Sequence, residues 1–199
     1  MRDAGWFPFC ERLQGHNEQV TKAFIKNYND EVVWFEDLQM MVDEEVIAEA
    51  IGVPSEGEKW FKQQSFEADY SKFLLPGFEK LDWKNGIHIT KLKPMWKTPL
   101  KMIHNYVTCE GHYDRVSMCH LCFLMHLSGD KKLNLPYYLL KSMQKMIARI
   151  HSHHEHTVRS LFHQGLIKLL IVFHRRKRGK RGRSFFLYLD LMQRSKREK

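Results

Sequence analysis

"RVSMCHLCFLMHL", residues 115–127, is the stretch on which the fold turns. Val116, Cys119, Phe123 and Leu127 fall on one side of a helix drawn through it. Met118, Leu121, Cys122 and Met125 fall on the other, leaving Ser117, His120 and His126 as the polar members after Arg115. A helix apolar nearly all round has no solvent face, so it belongs in the centre of a bundle. Gly129 supplies its stop.

Reading outward from that centre, the flanking segments are amphipathic helices. Before it, Thr98–Pro99 has the form of an N-cap followed by proline at the first helical position, and Leu100, Ile103, Tyr106 and Val107 form one face. After it, "LPYYLLKSMQKMIARI" sets Leu139, Leu140, Met143, Met146, Ile147 and Ile150 on one stripe, with Lys141, Gln144, Lys145 and Arg149 opposite. "SLFHQGLIKLLIVF" gives a last, heavily buried helix, weakened by Gly165. Nearer the N-terminus, "HNEQVTKAFIKNY" predicts a helix capped by Asn17, with Val20, Ala23, Phe24 and Tyr28 on its apolar face. "EVVWFEDLQMMV" is rich in β-branched and aromatic residues, and Glu36–Asp37 between its apolar halves predicts a small β-hairpin. Asp43 caps "EEVIAEAI", whose acids sit where the helix dipole favours them, and Gly52 stops it. Between residues 58 and 95 the turn signals Pro76–Gly77 and Asn85–Gly86 separate short aromatic pieces, and "IHITKL" at 87–92 alternates as a short strand would. The fold class is therefore mainly α, a bundle-like domain with a small β-hairpin near the N-terminus. One domain covers residues 1–173, with an N-terminal part at 18–95 and a helical core at 96–173.

Charge divides the chain differently. "HRRKRGKRGR", residues 174–183, carries seven Lys/Arg in ten positions. Residues 174–199 hold eleven basic side chains and two acidic ones, which accounts for the whole formal charge of +9. The first 173 residues hold 21 of each sign and are neutral. Polyanion affinity is thus assigned to the basic tail 174–199, expected to be flexible, and in particular to Arg175, Arg176, Lys177, Arg178, Lys180, Arg181 and Arg183. Dense Arg and Lys with interspersed glycine track a DNA or RNA backbone without reading sequence, and Phe185, Phe186 and Tyr188 offer stacking. The same run also suits nuclear import, which places the protein inside the cell and in the nucleus.

Other chemistries are weighed against plainer readings. Cys119, Cys122 and His126 share a helical face and suit zinc, but no cysteine follows Cys122 to complete a knuckle. Packing of two small thiols in a buried helix is the preferred reading, and no metal is assigned. "HSHHEH" at 151–156 reads as a solvated loop beyond a helix end. Asp43, Glu44 and Glu45 crowd a helix start, which is a capping pattern rather than a metal cluster. No Asp-Ser-Gly or Asp-Thr-Gly, no Tyr-x-Asp-Asp and no phosphate-cradling GxxxxGK[ST] occurs, so neither enzymatic activity, cofactor nor small-molecule substrate is expected. No apolar run reaches about 18 residues, the length of a membrane span. "MRDAGWFPFCERL" lacks the apolar core of a secretion signal, so the four cysteines are expected to be reduced.

"DEEVIAEAIGVPSEGEKWF" (43–61), "LKPMWKTPLKMIHNYV" (92–107), "RVSMCHLCFLMHLSGDKKLNLPYYLLKSM" (115–143) and "SLFHQGLIKLLI" (160–171) resemble, in that order, segments of the plant transposon protein domain. That family has a Trp-bearing helix, an apolar helix ending near glycine, a Pro-started helix and a last helix opening with an aromatic residue. The resemblance spans roughly residues 18–172 and lies in order and spacing. It implies a protein derived from a plant mobile element, with no catalytic residues to carry over, and it does not reach the basic tail. Two functions are compatible with these features: a non-catalytic protein holding nucleic acid through its tail, or a gag-like protein-interaction or self-assembly module whose partner is another copy of itself.

Overall fold

The computed structural model describes residues 18–29, 31–36, 38–60, 71–78, 86–108, 114–129, 132–153 and 164–177. Within them the fold is mainly α, as the periodicities predict. Six α-helices occur: α1 (Glu18–Lys26), α2 (Glu44–Ile51), α3 (Pro94–Ile103), α4 (Met118–Leu127), α5 (Leu135–His153) and α6 (Gln164–Lys177). A three-stranded antiparallel sheet lies between α1 and α2, in the order β1 (Tyr28–Asn29), β2 (Val32–Phe35), β3 (Leu38–Met41).

The hairpin forms where the β-branched and aromatic run around Glu36–Asp37 places it. Val32 pairs with Met41, Val33 with Met40, Trp34 with Gln39 and Phe35 with Leu38. Val33, Phe35, Leu38 and Met40 face the core, while Trp34 and Met41 point outward, 58% and 48% exposed. The third strand is new, and it shortens the first helix. Tyr28 leaves α1 to pair with Val33, and Asn27 closes the last helical turn by donating to the Ala23 and Phe24 carbonyls. Glu31, with φ 72°, turns the chain between β1 and β2. The predicted cap Asn17 lies outside the described residues.

α2 is bounded as its sequence dictates. Asp43 accepts from the Val46 N–H at 2.8 Å. Gly52 adopts the left-handed conformation (φ 73°) and donates to the Ala48 carbonyl, a geometry cheap only for a residue without Cβ.

α3 starts earlier than expected. Pro94, not Pro99, takes the first position, where the missing N–H has no intrahelical partner anyway, and Pro99 lies inside the helix. The preceding cap, Lys93, makes no side-chain capping bond, its Nζ donating instead to the Lys72 carbonyl at 2.8 Å, so Thr98–Pro99 has a cap's composition in a helix interior. The helix ends in a π-turn, His104–Thr108, which keeps Ile103 and Val107 buried. The predicted strand at 87–92 is only β4 (Ile87–His88), paired with β5 (Arg115–Val116) before a 3₁₀ turn at Ile89–Lys91.

One core cluster runs from Phe24 on α1 to Ile171 on α6. α2 packs on α5 and α6, α1 on α6 and β2, α3 on α4, and α6 on β3. α4 is buried from His120 to Met125, as a helix without a polar face must be. Its Phe123 meets Tyr138 of α5 edge-on at 4.6 Å between ring centroids, and Trp60 stacks on Tyr138 at 5.9 Å. The stripe Leu139, Leu140, Met143, Met146 and Ile147 of α5 is buried, with Lys145 and Arg149 outward. Among the described residues, no helix is long and apolar enough to cross a membrane.

Candidate nucleic-acid interface

The basic stretch begins on a helix. Leu166, Ile167, Leu170 and Ile171 anchor α6 in the core, and the helix continues through His174, Arg175, Arg176 and Lys177 as its last turn. It therefore crosses the boundary drawn at 173, and the first four residues of the stretch are helical rather than a flexible tail. Two physical reasons account for this. Cations at a helix C-terminus are favoured by the carbonyl dipole. His174 also donates from Nδ1 to the Leu170 carbonyl at 3.0 Å, satisfying a group of the last turn.

Arg175 and Lys177 are each engaged by a carboxylate. Arg175 Nη2 donates to Glu36 Oε2 at 2.6 Å, reaching the turn of the β2–β3 hairpin, and its side chain is 17% exposed. Lys177 Nζ donates to Glu49 Oε2 of α2 at 2.5 Å and lies 4.8 Å from the centroid of the Phe173 ring. Arg176, between them, is exposed. Arg178, Lys180, Arg181 and Arg183 lie outside the described residues, as do Phe185, Phe186 and Tyr188. Alongside the Lys177 contact, Glu45, Glu49 and Glu56 line an open groove with Ala48, Gly52 and Pro54. Two of these acids are paired, Glu49 with Lys177 and Glu56 with Lys132. The partners Glu36 and Glu49 escaped the sequence reading because separations of 139 and 128 residues leave no periodic trace.

The other candidates resolve into structure. Cys122 is buried, and Cys119 Sγ lies 3.2 Å from the Tyr138 hydroxyl. His126 accepts the Leu133 N–H on Nδ1, tying α4 to the segment entering α5. No group of three or more His, Cys, Asp or Glu side chains able to hold a metal occurs among the described residues. Glu44 accepts from Asn134 Nδ2 at 2.8 Å and pairs with Lys59 at 2.9 Å, which raises the Lys59 pKa. "HSHHEH" does not begin beyond the helix end: His151, Ser152 and His153 are the last residues of α5, His151 donates to the Ile25 carbonyl at 3.1 Å, and residues 154–156 lie outside the described residues.

A buried polar network went unforeseen. His120 accepts the Ser117 N–H on Nδ1 at 3.0 Å, and the Ser117 hydroxyl accepts the His120 N–H, a capping box with histidine in the place of glutamate. Because Nδ1 accepts, the proton of the neutral ring sits on Nε2 and is donated to Thr108 Oγ1 at 3.1 Å. Burial, followed by the charge of His104 with its ring 5.5 Å away, drives the His120 pKa down to about 4. The network is a neutral structural joint between α4 and the π-turn. No family model, curated protein or solved structure matches the chain.

Proposed function

We propose that this chain is a non-catalytic protein derived from a plant mobile element, and that its basic C-terminal segment holds DNA or RNA by the backbone without reading sequence. The observation that carries the reading is the segregation of charge: a neutral body of 173 residues and 26 residues with the entire +9. The transposon-derived origin rests on the resemblance of residues 18–172, and the non-catalytic character on the catalytic motifs the sequence lacks. Arg178, Lys180, Arg181 and Arg183 are the principal phosphate contacts in this reading, with Arg176 as the exposed cation at the base of the segment. Backbone binding of this kind releases counterions, so affinity for duplex DNA falls with salt at a log–log slope of about 0.9 per contact. The test is a salt titration of the full chain and of a variant with Arg178, Lys180, Arg181 and Arg183 replaced by Gln. The variant binds more weakly and with a shallower slope; unchanged affinity and slope overturn the reading. A nuclear address is part of the same proposal, and a fluorescent fusion of the quadruple variant that still concentrates in the nucleus removes it.

Assembly with further copies, of the gag type, is favoured by a separate observation. Trp34 and Met41 stand exposed on the outer face of the hairpin, and Met95 at the start of α3 is 71% exposed. Sedimentation at rising concentration decides it: a strict monomer rules out assembly.

A further inference from the structure

Arg175 and Lys177 belong to the run of cations assigned to nucleic acid, yet in the free protein each is held by a carboxylate from a distant part of the chain. The Arg175 guanidinium is drawn to the hairpin turn by Glu36, and the Lys177 ammonium to the last turn of α2 by Glu49. The two pairs point to different elements, so together they hold the last turn of α6 to both the hairpin and α2. Neither carboxylate is buried, with side-chain exposures of 50% for Glu36 and 55% for Glu49. Nothing in core packing requires acids at these two positions, because both point away from the buried faces of their elements.

We propose that Glu36 and Glu49 form an electrostatic latch that competes with nucleic-acid phosphates for Arg175 and Lys177, lowering affinity for polyanions in the free protein. The proposal rests on the basic segment being the nucleic-acid-binding element and adds how that element is restrained. Ion pairs made to solvent-exposed carboxylates are weak, about 0–1 kcal/mol each. They are therefore weak enough for a dense array of phosphates to displace, and strong enough to set a threshold. A free polyanion first meets Arg176 and the cations beyond Lys177. It gains Arg175 and Lys177 only by releasing Glu36 and Glu49, so the carboxylates oppose the last contacts made. Such a latch filters short or sparsely charged anions, which cannot supply enough phosphates to open it.

The test is a double-mutant cycle on the full chain with labelled duplex DNA at low salt. Glu49→Gln is measured in the native background and with Lys177→Gln, and Glu36→Gln in the native background and with Arg175→Gln. Glu45→Gln serves as the charge-matched control, since Glu45 lies on the same helix and is exposed. The latch predicts that Glu36→Gln and Glu49→Gln each tighten binding by roughly two- to fivefold, the equivalent of one exposed ion pair. It also predicts that Glu45→Gln changes affinity less, and that the gain from Glu49→Gln disappears when Lys177 is already Gln. A gain of equal size in the Lys177→Gln background, or from Glu45→Gln, means that only overall charge matters and overturns the latch. DNA binding by the native chain with flat cycles removes the latch and leaves the binding reading intact. Absence of binding by every variant removes both.

Discussion

His120 occupies a position where sequence pattern asks only for an apolar filler, and its two ring nitrogens tie three segments together. Protonation removes the acceptor of the Ser117 N–H, leaves Nδ1 only the Ser117 hydroxyl to donate to, and puts a charge in a buried site. The pKa, about 4 when folded against an ordinary 6.5, fixes the sign of the consequence. Between those values the unfolded chain binds a proton that the folded chain refuses, so stability rises with pH. The contribution is complete above about 6.5 and is lost as the pH falls through about 4, on the order of 3 kcal/mol in all. His104, whose pKa burial also lowers, adds in the same direction. His120→Gln keeps an acceptor for Ser117 and a donor for Thr108 but cannot titrate. Urea midpoints at pH 7 and pH 5 should therefore converge in the variant relative to the native protein; equal pH sensitivity of the two excludes His120 as the source. Phe123, also on α4, has no such polar work. It is fully buried between Trp60 and Tyr138, and Phe123→Ala should cost about 3–5 kcal/mol, read from the denaturation midpoint. That is much of the roughly 5–15 kcal/mol that holds a domain together.

At the scale of elements, what could be read in advance was what local periodicity encodes. The β-branched and aromatic run broken by Glu36–Asp37 announced the hairpin, and the stripe of α5 announced its buried side. What could not be read is held by backbone groups distant in sequence. Tyr28 continues the helical stripe of α1 but is recruited by β2 into a strand. The described parts of 58–95 are held by backbone bonds between residues distant in sequence, which local periodicity does not encode: Leu75 donates to the Lys91 carbonyl, Lys93 to that of Phe73, and Glu58 to that of Lys132. Thr98–Pro99 misled because composition cannot tell the first turn of a helix from its second. That misreading yields a test. Proline at the start of a helix is neutral, whereas in the interior it removes a bond and crowds a carbonyl, at about 3 kcal/mol. Pro99→Ala should raise the thermal midpoint, by about 2 kcal/mol once the gain in unfolded-state freedom is subtracted. A fall would restore the helix start to Thr98. Gly57 gives a second element-scale test, at the clasp between residues 56–58 and 132–134. With φ at 104°, it would bring a Cβ to 2.6 Å from the Lys132 carbonyl oxygen, whereas a Cβ on Gly77 meets nothing within 4 Å. Gly57→Ala should therefore destabilise clearly more than Gly77→Ala, which carries only the left-handed backbone strain of about 1 kcal/mol. Equal losses would mean the clasp moves aside freely.

For the whole molecule, charge and packing draw the boundary of the body in different places. Net charge changes at 174, because the acids and bases before that residue cancel. Packing extends past that point to at least Lys177, because α6 carries its last turn onto the hairpin and α2 through Arg175 and Lys177. Composition revealed the first boundary and could not reveal the second, which depends on two carboxylates far away in the chain. A chain ending at residue 173 loses the terminal turn, both ion pairs and the cations that offset the helix dipole. One ending at residue 177 keeps them all. Exposed pairs contribute about 0–1 kcal/mol each, and cations at a helix C-terminus about 0.3–1 kcal/mol. The shorter chain should therefore be less stable by about 1–2 kcal/mol in urea denaturation at low salt. The gap should narrow as salt screens the exposed charges. Equal midpoints for the two chains would place the structural boundary back at 173 and make the last turn of α6 part of the basic segment.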